Sequence, residues 1–253
     1  MKRLCFTYDL TLSFSQPVWR HTFLFRFAPA SDESQQLWGL DMACRPQTQL
    51  PATRDAFGNR CMLGHIEEAH ESLNLYVRGD AVVRGEPLRA DCPAFYTMET
   101  PLTAADERIA ALGEGLSGAA EEIAMQAAER VRAHVCYRQG VTNERTTALE
   151  ALALGAGVCQ DMAHLLLAVL RARHIPARYV AGLIPGEGET HAWVEVYDGT
   201  RFIGVDPTHL CLADDTYLRV NAGRDSRDCA INRGVFAGGA QQTMRVLARM
   251  AEV

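Results

Sequence analysis

Three side chains in this sequence have the types and spacing that nucleophilic chemistry on an amide needs. Cys159 lies in Gly157-Val158-Cys159-Gln160-Asp161, His191 opens His191-Ala192-Trp193, and Asp206 opens Asp206-Pro207-Thr208. The separations, 191 − 159 = 32 and 206 − 191 = 15 residues, leave room for a helix, a turn and antiparallel strands that bring the three groups together. In such a set the thiolate attacks, the imidazole moves the proton, and the carboxylate orients the imidazole.

Each residue taken singly also has an ordinary structural reading. A cysteine at a helix start is often a small packed side chain. A histidine opening a strand is often a hydrogen-bonded structural group, and Asp-Pro is common turn chemistry. Position favours the chemical reading of Cys159. In the first turn of an apolar helix, unpaired N–H groups and the positive end of the macrodipole stabilise a thiolate. Gly155 and Gly157 just before it read as small residues that let a substrate backbone approach. His191 follows a flexible Gly186-Glu187-Gly188-Glu189 loop, within reach of a cleft edge. Pro207 forces an extended or turn conformation on Asp206.

The elements that must position these groups follow from periodicity. Met162, Leu165, Leu166, Val169 and Leu170 fall at i, i+3, i+4, i+7 and i+8, a buried helix face from about Val158 to His174, stopped by Pro176. Thr147-Ala148-Leu149-Glu150 has the form of a capping box, opening a short helix that Gly155 ends. Ile123, Ala127 and Val131 mark an earlier helix after a Ser117 cap. Strands are expected at Ala177–Ile184, His191–Tyr197 and Arg201–Val205, the last two joined at Asp198-Gly199. The first ninety or so residues read as β. Leu4, Phe6, Tyr8, Leu10, Leu12 and Phe14 alternate with polar neighbours, Phe23, Phe25 and Phe27 repeat the pattern, and so do Leu73, Leu75 and Val77. Pro51 and Asp55-Ala56-Phe57-Gly58-Asn59 supply turns. Asp91-Cys92-Pro93 and Pro101-Leu102-Thr103 read as a linker. A Gly-rich stretch near Gly234 to Gly239 precedes Gln242 to Met250, a final strand or short helix.

Composition narrows the classes. With 253 residues, 48% hydrophobic and 22% charged, the chain has the makeup of an ordinary globular protein. A charge of −6, from 25 basic and 31 acidic residues, argues against a nucleic-acid surface. No signal-peptide core and no long apolar run are present, so we expect no membrane association and a cytoplasmic protein. Of the eight cysteines, seven (5, 44, 61, 92, 136, 211 and 229) read as small buried hydrophobes, and there is no Cys-x-x-Cys pair. His65 and His70 are five apart and form no metal motif, so metal binding is not expected.

These residues carry a resemblance. Gly157 to His164, Ile175-Pro176-Ala177-Arg178-Tyr179-Val180-Ala181-Gly182, His191-Ala192-Trp193-Val194-Glu195 and Asp206-Pro207-Thr208 resemble the transglutaminase-like superfamily, over a region from about Phe95 to the C-terminus. Asn221-Ala222-Gly223-Arg224-Asp225 with Asp228 resembles a tail segment of its bacterial members, and Asp55 to Asn59 with the preceding strands resembles their N-terminal β region. The resemblance implies an α+β fold: a papain-like, transglutaminase-like cysteine-protease core at 96–253 behind an antiparallel, sandwich-like β domain at 1–95. It implies Cys159 as nucleophile, His191 as base and Asp206 as orienting carboxylate, with all three present and no Asp-rich calcium site. It further implies acyl transfer through a thioester on a peptide or protein amide, with no cofactor. The Cys159 N–H is the natural oxyanion donor. Gln160 and Trp193 are candidates to donate or to line the acyl site, and Asp161 reads as structural, bonding to the first helical turn. Hydrolysis by a cysteine protease or amidase is the first expectation. A true transglutaminase is the second, and an interaction module with a silent triad the third.

Overall fold

The alternation from Leu4 to Phe14 does not end there but continues through Phe23 and Phe25 in one strand of 24 residues, β1 (Lys2–Phe25). The computed structural model describes residues 1–253. After β1 come β2 (Gln35–Arg45), β3 (Ala52–Arg54), β4 (Arg60–Ile66), β5 (His70–Val83) and the short β6 (Leu88–Arg89). Helices α1 (Glu107–Ala111) and α2 (Ala120–His134) lead to β7 (Cys136–Tyr137), α3 (Ala148–Leu154), β8 (Ala156–Gly157) and α4 (Cys159–Ala172). The remainder is strand: β9 (Ala177–Leu183), β10 (Gly186–Gly188), β11 (His191–Tyr197), β12 (Arg201–Asp206), β13 (Cys211–Leu212), β14 (Leu218–Gly223), β15 (Asn232–Ala237) and β16 (Gln242–Glu252).

β1 bends where Gln16 and Pro17 interrupt the alternation, and its pairing with β5 shifts between Ser13 and Val18. Its first half lies between β5 and β16, and its second half pairs with β4 and β15, all antiparallel. One strand therefore serves two layers. Leu4, Phe6, Tyr8, Leu10, Leu12, Phe23, Phe25 and Phe27 share the core between them, with Tyr8 stacked on Phe27 at 3.9 Å. The turn at Asp55 forms as its residues dictate: Asp55 Oδ1 accepts from the N–H groups of Phe57 (2.9 Å) and Asn59 (3.0 Å), and Gly58 takes φ +82°.

The second core surrounds α4. Every residue from Asp161 to Arg171 is buried, because α4 has α1, α2 and α3 on one side and an antiparallel sheet, in the order β13-β12-β11-β9-β14, on the other. The capping box at α3 is present: Thr147 Oγ1 accepts from Glu150 N at 3.2 Å and Thr147 N donates to Glu150 Oε2 at 2.8 Å. Gly155 ends α3 at φ +65°, a left-handed position, so its role is backbone conformation. Helix α2 begins at Ala120 after Ala119, two residues past the expected Ser117 cap; Glu122 reaches back to accept from Ala119 N at 2.9 Å.

Four sequence expectations change. The residues around 91–103 are no free linker: β6 pairs with β12, and Tyr96, Thr100, Leu102 and Thr103 are buried. Buried Arg171 ties this segment down, donating to Tyr96 O (3.3 Å) and Thr103 Oγ1 (2.7 Å). Gly186 to Gly188 is a strand, not a loop, hydrogen-bonded to β16. The last strands, β15 and β16, join the N-terminal sheet through β1 rather than the sheet around α4. Of the seven cysteines expected to be buried, only Cys61 and Cys229 are; Cys136 is exposed.

The two sequence segments at Asp55–Asn59 and Asn221–Asp225 meet in space. Asn59 Nδ2 donates to Ala222 O and Ala222 N donates to Asn59 Oδ1, both at 2.8 Å, while Asn221 Nδ2 donates to Arg26 O at 2.8 Å. Arg219 bridges the same seam, pairing with Asp32 on one side and with Glu195 (3.3 Å) on the other. The N-terminal sheet is thus docked on β14 by buried polar contacts, and Leu183, Leu218 and Val220 add to its apolar core.

Candidate active site

Cys159 is the first residue of α4, half-buried, with its backbone N–H in the first turn, where no intrahelical acceptor exists. The turn is held by Asp161. Its Oδ2 accepts from Val158 N and from Thr142 Oγ1, both at 2.7 Å. A Cβ on Gly157 would sit 2.7 Å from the Asp161 side chain. Gly157 is therefore small for the sake of Asp161, which fixes the geometry of the turn that carries Cys159. Burial raises the Asp161 pKa above the usual value, against these hydrogen bonds.

His191 opens β11, opposite Gly182 of β9. Its Nε2 is 2.7 Å from Asp206 Oδ2, which leaves Nδ1 free of that bond in the cleft that His191 lines together with Cys159. Burial works against the imidazolium. Hydrogen bonds to Asp206 and Cys159 and the charges of both outweigh it, and the His191 pKa is raised to about 9. Asp206 ends β12 and is fully buried. Its Oδ1 accepts from the N–H groups of Thr208 (2.7 Å) and His209 (3.2 Å). Its Oδ2 takes His191, His209 Nδ1 (2.7 Å) and the Tyr217 hydroxyl (2.8 Å). Burial opposes the carboxylate's charge, but the His191 bond and charge, then His209 and Tyr217, hold its pKa well below the usual carboxylate range. The structure thus bonds His191 to Asp206 and sets His191 in the same cleft as Cys159.

His209 and Tyr217 were not singled out in the sequence. His209 lies three residues past Asp206 in an Asp-Pro turn, a spacing that turns back on itself; Tyr217 is eleven residues on and carries no local signal. His191, Asp206 and His209 present two imidazole nitrogens and a carboxylate oxygen within 4.8 Å, a donor set a metal ion could share. The same atoms already form the hydrogen bonds to Oδ2, so the set is a proton-sharing network as it stands.

Gln160 and Trp193 part company. Gln160 borders the cleft that holds Cys159. Trp193 does not: it is 1% exposed and packs with Val180 and Ala222 on the face of β11 turned away from α4. Its indole fits because Gly182 and Gly204 flank it; a Cβ on Gly182 would lie 2.4 Å from the ring. Tyr217 meets Trp193 edge-on at 5.3 Å, so the indole supports a hydrogen-bond partner of Asp206 from beneath. Next along the same face, Glu195 pairs with Arg178 at 2.5 Å, and the arginine lies over Phe202. Burial opposes the charge on Glu195, yet Arg178 and Arg219 hold its pKa below the usual value.

The cleft at Cys159 is a cavity of about 790 Å³. One wall is the segment Gln139–Glu144, the other is β10 with Glu189 and Thr190, and Met244, Ala248 and Met250 of β16 close it. A second cavity of about 610 Å³ adjoins it, sharing Glu144, Gln160, Glu189, Thr190 and Met244. Tyr8 and Leu10 of β1 line this second space. The N-terminal sheet therefore builds part of the walls of the space beside Cys159.

Comparison with known proteins matches both parts. The transglutaminase-like superfamily model matches residues 110–207, and the bacterial transglutaminase-like N-terminal region matches residues 4–82. An uncharacterized protein of Mycobacterium leprae is 32% identical over 166 residues, 61% of this chain and 59% of that protein, so the match spans less than two thirds of that relative's length. An uncharacterized protein of Mycobacterium tuberculosis is 29% identical over 231 residues, 76% of this chain and 74% of that protein. The solved structure of a Cytophaga hutchinsonii protein, described as a candidate cysteine protease, has a TM-score of 0.81 at 23% identity and covers 100% of this chain and 91% of that one, a likeness of fold. No helix is long and apolar enough to cross a membrane. Residues 110–207 thus carry a transglutaminase-like core, and residues 4–82 carry the bacterial transglutaminase-like N-terminal region.

Proposed function

We propose that the chain is a thiol-dependent acyl-transfer enzyme that hydrolyses amides of peptides or proteins. The observation that carries this reading is His191, held between Cys159 and a carboxylate that accepts five hydrogen bonds. The Cys159 thiolate attacks the carbonyl carbon, and the oxyanion forms beside the first-turn N–H of α4, with Gln160 in reach of the same cleft. His191 Nδ1–H then protonates the departing nitrogen as the C–N bond breaks, leaving a thioester and a neutral imidazole. That imidazole takes a proton from water, the hydroxide adds to the thioester, and the thiolate leaves with the imidazolium restored. Asp206 keeps the ring oriented and favours its charged form. The helix-first, antiparallel-sheet order around α4 supports a papain-like reading of the core.

Hydrolysis is favoured over transfer because the cleft walls, Gly186 to Glu189 and Gln139 and Gly140 with Asn143 and Glu144, are exposed, so water reaches the thioester. The test is incubation of the full chain and its Cys159→Ser variant with a glutamine peptide and a labelled primary amine. Acid or a new amine terminus released only by the unsubstituted chain is the expected result. Incorporation of the amine would replace hydrolysis by transglutamination. No thiol-dependent turnover, with Cys159 alkylating no faster than the other cysteines at mildly acidic pH, would overturn the enzyme reading.

A further inference from the structure

The cavity that adjoins the Cys159 cleft across Gln160 has a charge pattern that the attack on an amide leaves unused. Its floor is apolar, formed by Tyr8, Tyr179, Cys229 and Val246, and its exposed rim carries Arg145, Arg227 and Arg233. Neither the Arg227 nor the Arg233 guanidinium has a carboxylate within 4.0 Å, although the Arg227 backbone N–H donates to Asp225 Oδ1 at 2.8 Å, and Arg145 reaches only its neighbour Glu144 at 4.0 Å. Elsewhere the arginines near the site are spoken for: Arg178 and Arg219 by Glu195, Arg224 by Asp228, Arg249 by Glu187. Arg233 donates to the backbone carbonyl of Arg227, which sets one guanidinium against the segment that carries the other.

We propose that this cavity binds a carboxylate of the substrate, a proposal that rests on Cys159 being the nucleophile. A guanidinium meets a carboxylate through two parallel N–H···O bonds, the strongest pairing available to an exposed anion. The neck between the two cavities carries Glu144 and Glu189, and the Cys159 cleft has no lysine or arginine in its lining. A substrate carboxylate is repelled from the neck and held by the rim arginines. The amide next to it is then directed across Gln160 toward Cys159. The charge pattern thus selects acidic peptides or peptide ends and sets the direction in which they lie. Both the terminal carboxylate of a peptide and an acidic side chain have the required chemistry.

Calorimetry on the full-length Cys159→Ala variant separates the sources, using N-acetyl-Gln-Ala with a free carboxylate, its neutral C-terminal amide, and N-acetyl-Gln-Glu amide. At least one acid should bind about tenfold more tightly than the neutral amide. A preference for the free acid assigns the terminus; one for the Glu peptide assigns the side chain. The preference should vanish in the Arg227→Gln/Arg233→Gln double variant while its affinity for the neutral amide and its melting temperature stay unchanged. Equal binding of all three peptides, no binding of any, or a preference that survives the double substitution would overturn the proposal. Because the Ala variant has no thiol, the result is independent of turnover. A carboxylate preference in a chain whose Cys159 proves inert would sink the catalytic reading alone.

Discussion

Replacing Asp206 by Asn should remove the support that keeps His191 charged, and the size of the effect follows from the site. In the folded protein the His191 pKa rises from 6.5 to about 9, which corresponds to about 3 kcal/mol in favour of the imidazolium. A pKa raised by folding adds stability that is fully present below 6.5 and is lost as the pH climbs through 9. Asp206 supplies a hydrogen bond and a charge to this rise; Cys159 supplies the others, and burial opposes them all. With Asn at this position, burial persists and only the Cys159 contribution still opposes it, so His191 should titrate well below 9 and lose much of its charge near pH 7.5. The Asn amide also faces five donors with only one accepting oxygen, a pH-independent loss of about 1–3 kcal/mol. Urea unfolding of both proteins across the range from mildly acidic to pH 10 tests this, with the His191 ring proton followed by NMR. The stability gap should be widest at the acidic end and narrow by up to about 3 kcal/mol at the alkaline end. A gap that is flat with pH, or a His191 resonance still titrating near 9 in the variant, would refute the argument.

Three more outcomes follow from single contacts. Tyr217→Phe keeps the edge-on contact with Trp193 but deletes the donor to Asp206 Oδ2, so urea unfolding should show a loss of about 2 kcal/mol that disappears in the Asp206→Asn background. Asn59→Ala leaves Ala222 N–H and C=O unpaired at the buried seam and should cost about 3 kcal/mol by the same measurement. Gly157→Ala drives a Cβ into the Asp161 side chain, so amide turnover should fall sharply while Asp161→Asn, which keeps the volume, loses less.

The elements that hold Cys159 were legible because their signals are local. The apolar run from Met162 to Leu170, the Thr147 capping box, Gly155 and Pro176 bracket α3 and α4 within a residue or two of where they form. The strand at His191–Tyr197 coincides with β11. The Asp55 turn and the alternation in β1 were equally plain. Less was visible wherever the deciding partner is remote. Gly186 to Gly188 has the composition of a loop and becomes a strand only because β16 offers it hydrogen bonds. Trp193 follows His191 by two residues, so strand alternation puts both on one face, but that face cannot say which neighbour fills it; Gly182 and Gly204 do.

By itself, the sequence determined the chemical types and their local geometry: a thiol on the first turn of a buried helix, an imidazole at a strand start, and a carboxylate ahead of a proline. These are matters of period, capping and backbone restriction, which a few neighbouring residues settle. The tertiary structure decided who stands around them. His209 and Tyr217 complete the hydrogen bonding of Asp206, Trp193 withdraws beneath the sheet, and β1 and β16 enclose the space beside Cys159 where three arginines wait at the rim. His209 lies only three residues past Asp206, but the other contacts join separate elements, and strand pairing and the packing of one layer on another bring those within bonding distance.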